Sequence, residues 1–240
     1  VLTTTFAPFQ TARCCEQIKV NLGYMQQKIC MVGIASGLVL GPLGFTHCCI
    51  EDIGILRSIP NITIISPSDS FETIKATEAA LKHKSSCYIR LTGGSNNPIV
   101  NKADYKFEIG KSIELNVGKD VTIFCNGTMV SESLKAAEVL KTMNISTRVV
   151  NMHTVKPIDS EAVFRACHET RLIVSVEEHN IIGGLGSAIS ECKSIIKNSP
   201  VHLIKGIDDQ YSKGGDYKFL LEKNRLTTSS IVEDVQKYLD

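Results

Sequence analysis

An α/β protein of two tandem units, each an open, mainly parallel sheet flanked by helices, is the fold the sequence predicts, and three observations predict it. Short apolar runs rich in β-branched residues recur along the chain, as strands buried on both faces require. Helix-like stretches separate them at the spacing of βαβ units. A polar stretch from Thr92 to Asp120 interrupts the alternation, which resumes cleanly beyond it. The expected organisation is a first unit over residues 1–100, a linker over 101–118 and a second unit over 119–240.

In the first unit KICMVGI (28–34), ITIIS (62–66) and CYIRL (87–91) are the expected strands. Residues 9–24 carry Ile18, Val20 and Leu22 among polar neighbours and read as a helix. Residues 50–58 place Ile50, Ile53, Ile55 and Leu56 on a helical pattern that Pro60 stops. Residues 69–83 form a further helix, with Ser68 or Asp69 as N-cap. The polar stretch includes GGSNNP (93–98) and leaves room for one edge strand near residues 105–109. The second unit then reads as strands 121–126, 147–152, 171–176 and 201–206. Helices are expected at 131–143, 159–168, 185–198, 217–223 and 229–239.

A hydrophobic content of 43% over 240 residues is enough to bury sizeable cores. Twenty-six basic against 25 acidic side chains leave a net charge of +1, which gives no pull toward nucleic acid or an anionic membrane. No apolar run reaches the roughly 18–20 residues that span a bilayer, and no basic, apolar leader opens the chain. The nine cysteines include two adjacent pairs, Cys14–Cys15 and Cys48–Cys49, but no CxxC. That usage reads as reduced thiols of a cytoplasmic protein. Asn61, Asn126 and Asn144 match the glycosylation pattern by chance on that reading. The chain begins with Val1, and Leu2-Thr3-Thr4-Thr5 looks like a strand already inside a fold, which points to a fragment or to further residues upstream.

Ligands of open α/β sheets gather at the C-terminal ends of strands. A glycine-rich run from Gly37 to Gly44 delivers His47 to such a place, at the expected start of a helix, where an imidazole suits an anion or a developing negative charge. A lone histidine there is equally readable as structural. The neighbouring Cys48 and Cys49 do not make a Cys–His pair, since adjacent residues point in different directions. Arg90 ends a strand before Thr92-Gly93-Gly94 and is either an anion site or a solvated strand end. Gly183-Gly184-Leu185-Gly186-Ser187 is not GxGxxG and reads as tight helix–sheet packing. Glu177-Glu178-His179 is an acid–base cluster or a polar strand end. A P-loop, a zinc site and a GxSxG elbow are absent from the sequence.

Residue by residue, then, the chain reads as two α/β units with a polar cleft, and the combination of segments goes further. Thr5-Phe6-Ala7-Pro8-Phe9 with Arg13 and Glu16-Gln17, Gly44-Phe45-Thr46-His47, Ile50-Glu51-Asp52, Leu56-Arg57-Ser58-Ile59-Pro60-Asn61 and Ser66-Pro67-Ser68-Asp69 occur in order. Together with Val176-Glu177-Glu178-His179-Asn180-Ile181-Ile182-Gly183-Gly184-Leu185-Gly186-Ser187 they resemble the thiamine-diphosphate family of transketolases. The likeness is to the C-terminal subunit of split transketolases, made of a pyrimidine-binding domain and a C-terminal domain. The resemblance implies a cofactor, thiamine diphosphate with magnesium, whose diphosphate and metal ligands lie on an N-terminal partner subunit. It also implies a homodimer or α2β2 assembly. In the family a histidine at the place of His47 faces the reactive thiazolium carbon and handles protons of a ketose donor. Phe6 and Phe9 fall where aromatics pack on the aminopyrimidine, and Arg90 where an arginine grips the sugar phosphate. The implied chemistry moves a two-carbon unit from a ketose to an aldose.

Three departures accompany the resemblance. The family's cofactor-activating glutamate lies upstream of the phenylalanine pair, and no residue here stands in for it. Leu43 takes the place of an acidic residue that contacts a donor hydroxyl, and Ala35 that of a histidine. Loss of such a carboxylate costs roughly 1–3 kcal/mol of recognition, which points to a deoxygenated or otherwise modified sugar. The rival expectations are an enzyme like 1-deoxyxylulose-5-phosphate synthase or the 2-oxoacid dehydrogenase β subunit, and a non-catalytic scaffold.

Overall fold

The computed structural model describes residues 1–94, 97–101 and 104–239. Ser95 and Asn96 of the expected GGSNNP turn, and Lys102 and Ala103 of the expected linker, lie outside them. The chain opens on strand β1 (Leu2–Phe6) and runs through α1 (Ala7–Gln10), a 3₁₀ turn (Ala12–Cys14), α2 (Cys15–Gln17) and a π-helical stretch (Ile18–Tyr24) into β2 (Cys30–Ser36). Then come α3 (Asp52–Arg57), β3 (Ile62–Ile65), α4 (Ser70–Lys82) and β4 (Ser86–Thr92). Beyond the polar stretch follow β5 (Ile113–Asn116), β6 (Val121–Cys125), α5 (Met129–Thr142), β7 (Thr147–Asn151), β8 (Thr154–Lys156) and α6 (Ser160–Glu169). The chain closes with β9 (Leu172–Asn180), α7 (Leu185–Lys193), β10 (Val201–Ile207), α8 (Tyr217–Lys223) and α9 (Thr228–Leu239). None of the described helices is long and apolar enough to cross a membrane.

Two five-stranded sheets result, ordered β1-β2-β4-β3-β8 and β10-β9-β6-β7-β5. Each is parallel except for one antiparallel edge, β8 on β3 and β5 on β7. The α/β class read from the sequence holds. The β8 edge comes from the second half of the chain, so the first sheet is completed across the expected boundary. The apolar core is shared as well: Leu38 and Ile50 pack with Val121, Ile123, Val174 and Leu220 of the second unit. Helix starts follow local chemistry, with the carboxylates of Asp69, Asp159 and Asp216 accepting from Glu72, Ala162 and Phe219 N–H groups.

Five expectations need correction, the simplest being that the helix expected over 185–198 ends at Lys193. The helix expected over 9–24 is broken, because the buried Thr11 hydroxyl donates to Ala7 O (2.7 Å) and competes with the ladder. The helix expected over 50–58 spans only Asp52–Arg57. No strand forms at 105–109; Tyr105 donates its hydroxyl to Glu72 (2.9 Å), Phe107 and Ile109 pack on the first unit's core, and the edge strand forms later, as β5. Finally β9 does not end at Val176 but continues through Glu177, Glu178 and His179, all buried.

Candidate functional site

After β2 the chain makes a loop closed at its base, where Gly37 N–H donates to Cys49 O (2.8 Å) and Cys49 N–H to Gly37 O (3.0 Å). Gly37 has φ +79°, and a Cβ there would lie 2.2 Å from Glu178 Oε1, so only glycine fits. His47 sits in a turn near the loop's end, its N–H and that of Cys48 both donating to Gly44 O (3.0 and 3.1 Å). The helix begins five residues later, at Asp52, so the helix-end argument for His47 fails. What surrounds His47 is aromatic: its ring centroid is 5.5 Å from Phe9 and 6.4 Å from Phe6, with the two phenylalanines 6.1 Å apart. The Arg13 guanidinium lies 3.9 Å over the Phe9 ring. Thr46 Oγ1 is 3.0 Å from His47 Nδ1. All three rings are partly exposed. Three sequence-predicted residues, Phe6, Phe9 and His47, thus meet on one open face.

Arg90 is not on that face. Its side chain is 0% exposed and its Nε donates to both oxygens of Asp52, itself 0% exposed, at 3.0 and 2.8 Å. Nη2 donates to Glu178 O (2.9 Å) and Cys49 O (3.3 Å), and Nη1, without a protein partner among the described residues, is equally buried. A guanidinium so enclosed presents no surface to a sugar phosphate, and the expectation for Arg90 is corrected accordingly. Tyr88 donates its hydroxyl to Asp52 (2.7 Å). Burial opposes charge on Asp52, but the Arg90 guanidinium and the Tyr88 hydroxyl outweigh it and hold the carboxyl below the usual range.

The Glu177-Glu178-His179 run resolves into three separate duties. Glu177 accepts from Leu185 and Gly186 N–H (2.7 and 2.9 Å) at the start of α7. His179 Nε2 accepts from Gly54 N–H (3.2 Å), which fixes the tautomer with Nδ1 donating to Asn180 O. Glu178 accepts from Leu38 N–H (2.6 Å) in the first unit and from the Thr128 and Tyr217 hydroxyls (2.7 Å each) in the second. Burial pushes the Glu178 carboxyl up against those three donors. Gly184 and Gly186 serve the expected helix–sheet packing, since Cβ atoms there would stand 2.2 Å from Glu177 Oε2 of β9 and 2.5 Å from Ile204 Cγ2 of β10. Gly183 instead packs against α3, where a Cβ would stand 2.9 Å from Gly54 Cα and Arg57 Nη1 donates to Gly183 O (2.9 Å). The cysteine pair is inert, with Cys48 and Cys49 1% and 0% exposed and the Cys48 thiol pushed by burial to about 11.

A cavity of about 440 Å³ opens at the C-terminal ends of β2, β3 and β4, lined by Ala35, Ser68, Asp69, Thr92, Gly93 and Asn97 among others. Among the described residues no basic side chain lines it. Its wall is the neighbour of the aromatic face, since Phe6 is the register partner of Ile34. Sequence reasoning singled out Glu178 without its place in the seam and gave no role to its neighbours there, Asp52, Tyr88, Thr128 and Tyr217. For Glu178 the available signal was a run of charges continuing an apolar strand pattern; for the others no local signal existed. Among the described residues no cluster of three or more His, Cys, Asp and Glu could hold a metal.

Residues 1–97 match the family model of the transketolase pyrimidine binding domain, and residues 110–214 that of the transketolase C-terminal domain. The 6-deoxy-6-sulfo-D-fructose transketolase subunit SqwH of Clostridium sp. (strain MSTE9) is 39% identical over 231 residues, 96% of this chain and 71% of that protein. An apulose-4-phosphate transketolase subunit of Actinobacillus succinogenes is 35% identical over 97% of this chain and 75% of its own length. Among solved structures, one described as "Split gene transketolase, inactive beta4 tetramer" superposes with a TM-score of 0.88 at 34% identity, over 98% of this chain and 74% of that one.

Proposed function

The chain belongs to the transketolase family and corresponds to the C-terminal subunit or section of a split transketolase, and from that premise we propose that it forms one half of a thiamine-diphosphate enzyme transferring a two-carbon ketol unit between sugar phosphates. The observation that carries the reading is the meeting of Phe6, Phe9 and His47 within 5.5–6.4 Å on an open face.

That face fits the aminopyrimidine end of the cofactor: two partly exposed aromatic rings offer edge and face contacts worth about 0.5–1.5 kcal/mol each. The diphosphate and magnesium fall to an N-terminal partner subunit, in a homodimeric or α2β2 assembly. Bound there, thiamine diphosphate supplies the nucleophilic carbon and electron sink for breaking the ketose carbon–carbon bond. This chain's own residues then orient and move protons. Thr46 holds His47 Nδ1, which leaves Nε2 to exchange a proton with a donor hydroxyl. Leu43, 57% exposed, offers no acceptor to a sugar hydroxyl, and Ala35 gives the adjoining cavity a methyl wall. A deoxygenated or otherwise modified sugar is the substrate class these positions suit.

The test is reconstitution with a diphosphate-binding partner subunit, thiamine diphosphate and magnesium, followed by ketose donor cleavage. Cleavage is expected, and His47→Ala lowers kcat by about 10²–10⁴-fold. No cleavage of any ketose, with or without pyruvate decarboxylation in its place, overturns the transketolase reading. Turnover unaffected by His47→Ala removes His47 from the mechanism.

A further inference from the structure

The loop that carries His47 belongs to the first unit, yet most of what holds it belongs to the second. At its base the Glu178 carboxylate takes the Leu38 N–H at 2.6 Å, and Asn180 N–H donates to Ile50 O at 2.7 Å just past its end. At its crest Gly215 N–H donates to Gly41 O (3.1 Å), and Phe45 packs on Tyr211 with centroids 5.4 Å apart. Leu220 leaves no room for a side chain at Gly41, where a Cβ would approach its Cδ1 to 2.2 Å. From the first unit Arg90, itself anchored to Glu178 O, reaches in to Cys49 O.

The position of Glu178 is unusual for its fold. The chain adds strands to the second sheet on one side of β6 and then crosses to the other side at β9, parallel to it. The crevice at the C-terminal ends of these two strands is where open α/β sheets ordinarily bind a ligand. Here that crevice holds Glu178, aimed by Thr128 at the N-cap of α5, just after β6, and by Tyr217 of α8, and what enters it is the Gly37–Leu38 backbone of the neighbouring unit. A buried carboxyl that accepts from three donors on three segments is itself held in one place, and through the Leu38 N–H it holds the loop's first turn with it.

We propose that Glu178 is a positioning residue for His47: through this carboxylate the C-terminal unit sets where the imidazole stands over Phe6 and Phe9. The consequence for turnover rests on the transketolase reading above; the consequence for the loop does not. The second unit, on this view, serves the reaction without touching substrate.

The experiment has two arms. In the full chain alone, the His47 ring sits within 5.5–6.4 Å of two phenylalanines, so its Cε1–H proton resonance is ring-current shifted and reports loop position. Glu178→Ala is expected to move or broaden that resonance. Glu178→Gln, which keeps an acceptor for Leu38 N–H, leaves it in place. Arg57→Ala serves as control, because it removes a contact across the same seam, to Gly183 O, without touching the loop; it lowers stability and leaves the resonance unmoved. If Glu178→Ala does not fold, Tyr217→Phe replaces it and shifts the resonance less, in the same direction. In the reconstituted complex Glu178→Ala lowers kcat by about 100-fold, as small misplacements of a proton-transfer group do, with little change in KM. A resonance that stays put in the folded variant, or one that moves as far in Arg57→Ala, overturns the proposal. Failure of the wild-type complex to cleave donors sinks only the transketolase reading, since the first arm stands without turnover.

Discussion

The face around His47 and the seam around Asp52 use the same kinds of residue to opposite ends. Both hold a histidine, an arginine and aromatic rings. On the face, Phe6, Phe9, Arg13 and His47 touch edge to face, partly exposed and free of strong pairing. In the seam, Arg90, Asp52, Tyr88 and His179 are fully buried and each is matched to a partner of the other unit or of the same cluster. Residue type alone does not say which arginine meets a ligand. Closure does: a cluster sealed inside the protein and paired there can orient other groups but cannot accept substrate. On the reading proposed above, the open, underpaired face is the place for chemistry and the sealed one is what keeps it in shape.

The largest expected effect breaks the sealed side. Asp52→Ala leaves the Arg90 guanidinium buried without its counter-charge, a loss of about 3–5 kcal/mol. Urea unfolding of the full chain measures it. His47→Ala in the same assay costs only about 1 kcal/mol, the worth of a partly exposed aromatic contact with no charge pairing behind it. Equal losses in the two variants would erase the distinction between face and seam.

That contrast also shows what could be read from the sequence. The α/β class and most strands follow from apolar runs such as ITIIS, because a strand buried on both faces writes itself as an unbroken apolar stretch. The meeting of Phe6, Phe9 and His47 was legible through motif order, since all three lie near ends of strands or loops that the sheet brings to one edge. The misread residues are those whose partners are remote in sequence. Glu178 looks like a strand end because charges break the apolar pattern, and only Leu38, 140 positions away, shows that it continues a buried strand. Arg90 sits near the strand end either way, and nothing local distinguishes a buried ion pair with Asp52 from an exposed phosphate grip. The breaks in residues 9–24 likewise depend on Thr11 being buried, where its hydroxyl has no water to bond.

A second histidine sharpens the comparison through pH. His153 is 1% exposed, stacks on Phe107 with centroids 4.1 Å apart, and burial holds its pKa down to about 4. A group depressed in the folded state binds its proton first when unfolded. Its neutral form therefore favours folding fully above about pH 6.5, and that contribution is lost as pH falls from about 6.5 toward 4. For a shift of this size the loss is on the order of 3 kcal/mol. His202, also depressed to about 4 by burial and by Lys193, adds to the same slope. Asp52 acts lower: with its carboxyl depressed, the stability it contributes is present above the unfolded pKa near 4 and disappears only as pH falls further. The raised carboxyls of Glu178 and Glu72 slope the other way over the same range, so the test is a difference: urea midpoints measured from pH 7 to 4.5 should fall more, or rise less, in the wild type than in His153→Gln. Identical slopes in the two chains would mean that His153 is solvated in the folded state.

On the open side the effects are smaller and fall on binding. Phe9→Ala removes the ring closest to His47 and is expected to weaken thiamine diphosphate binding to the reconstituted complex by about tenfold, the worth of one aromatic pair. Titration calorimetry reads this directly. Tyr88→Phe, in the seam, deletes a hydrogen bond to Asp52 and should lower stability by about 1–3 kcal/mol while leaving cofactor affinity alone. An effect of Tyr88→Phe on affinity as large as that of Phe9→Ala would make the two regions one site.

The smallest expected effect decides how far the open face is prepared in advance. The Arg13 guanidinium, 3.9 Å over Phe9, occupies the ring face that a stacking pyrimidine would use. An exposed cation–π contact is worth about 0.5–1 kcal/mol, so displacing it should cost a ligand about two- to fivefold in affinity. Arg13→Ala removes that competition at an exposed position, and cofactor binding is therefore expected to tighten by a similar factor with stability unchanged. A loss of affinity instead would mean that the guanidinium holds the Phe9 ring in its binding pose. The face would then be as firmly arranged as the seam, and openness alone would no longer separate the group that reacts from the groups that position it.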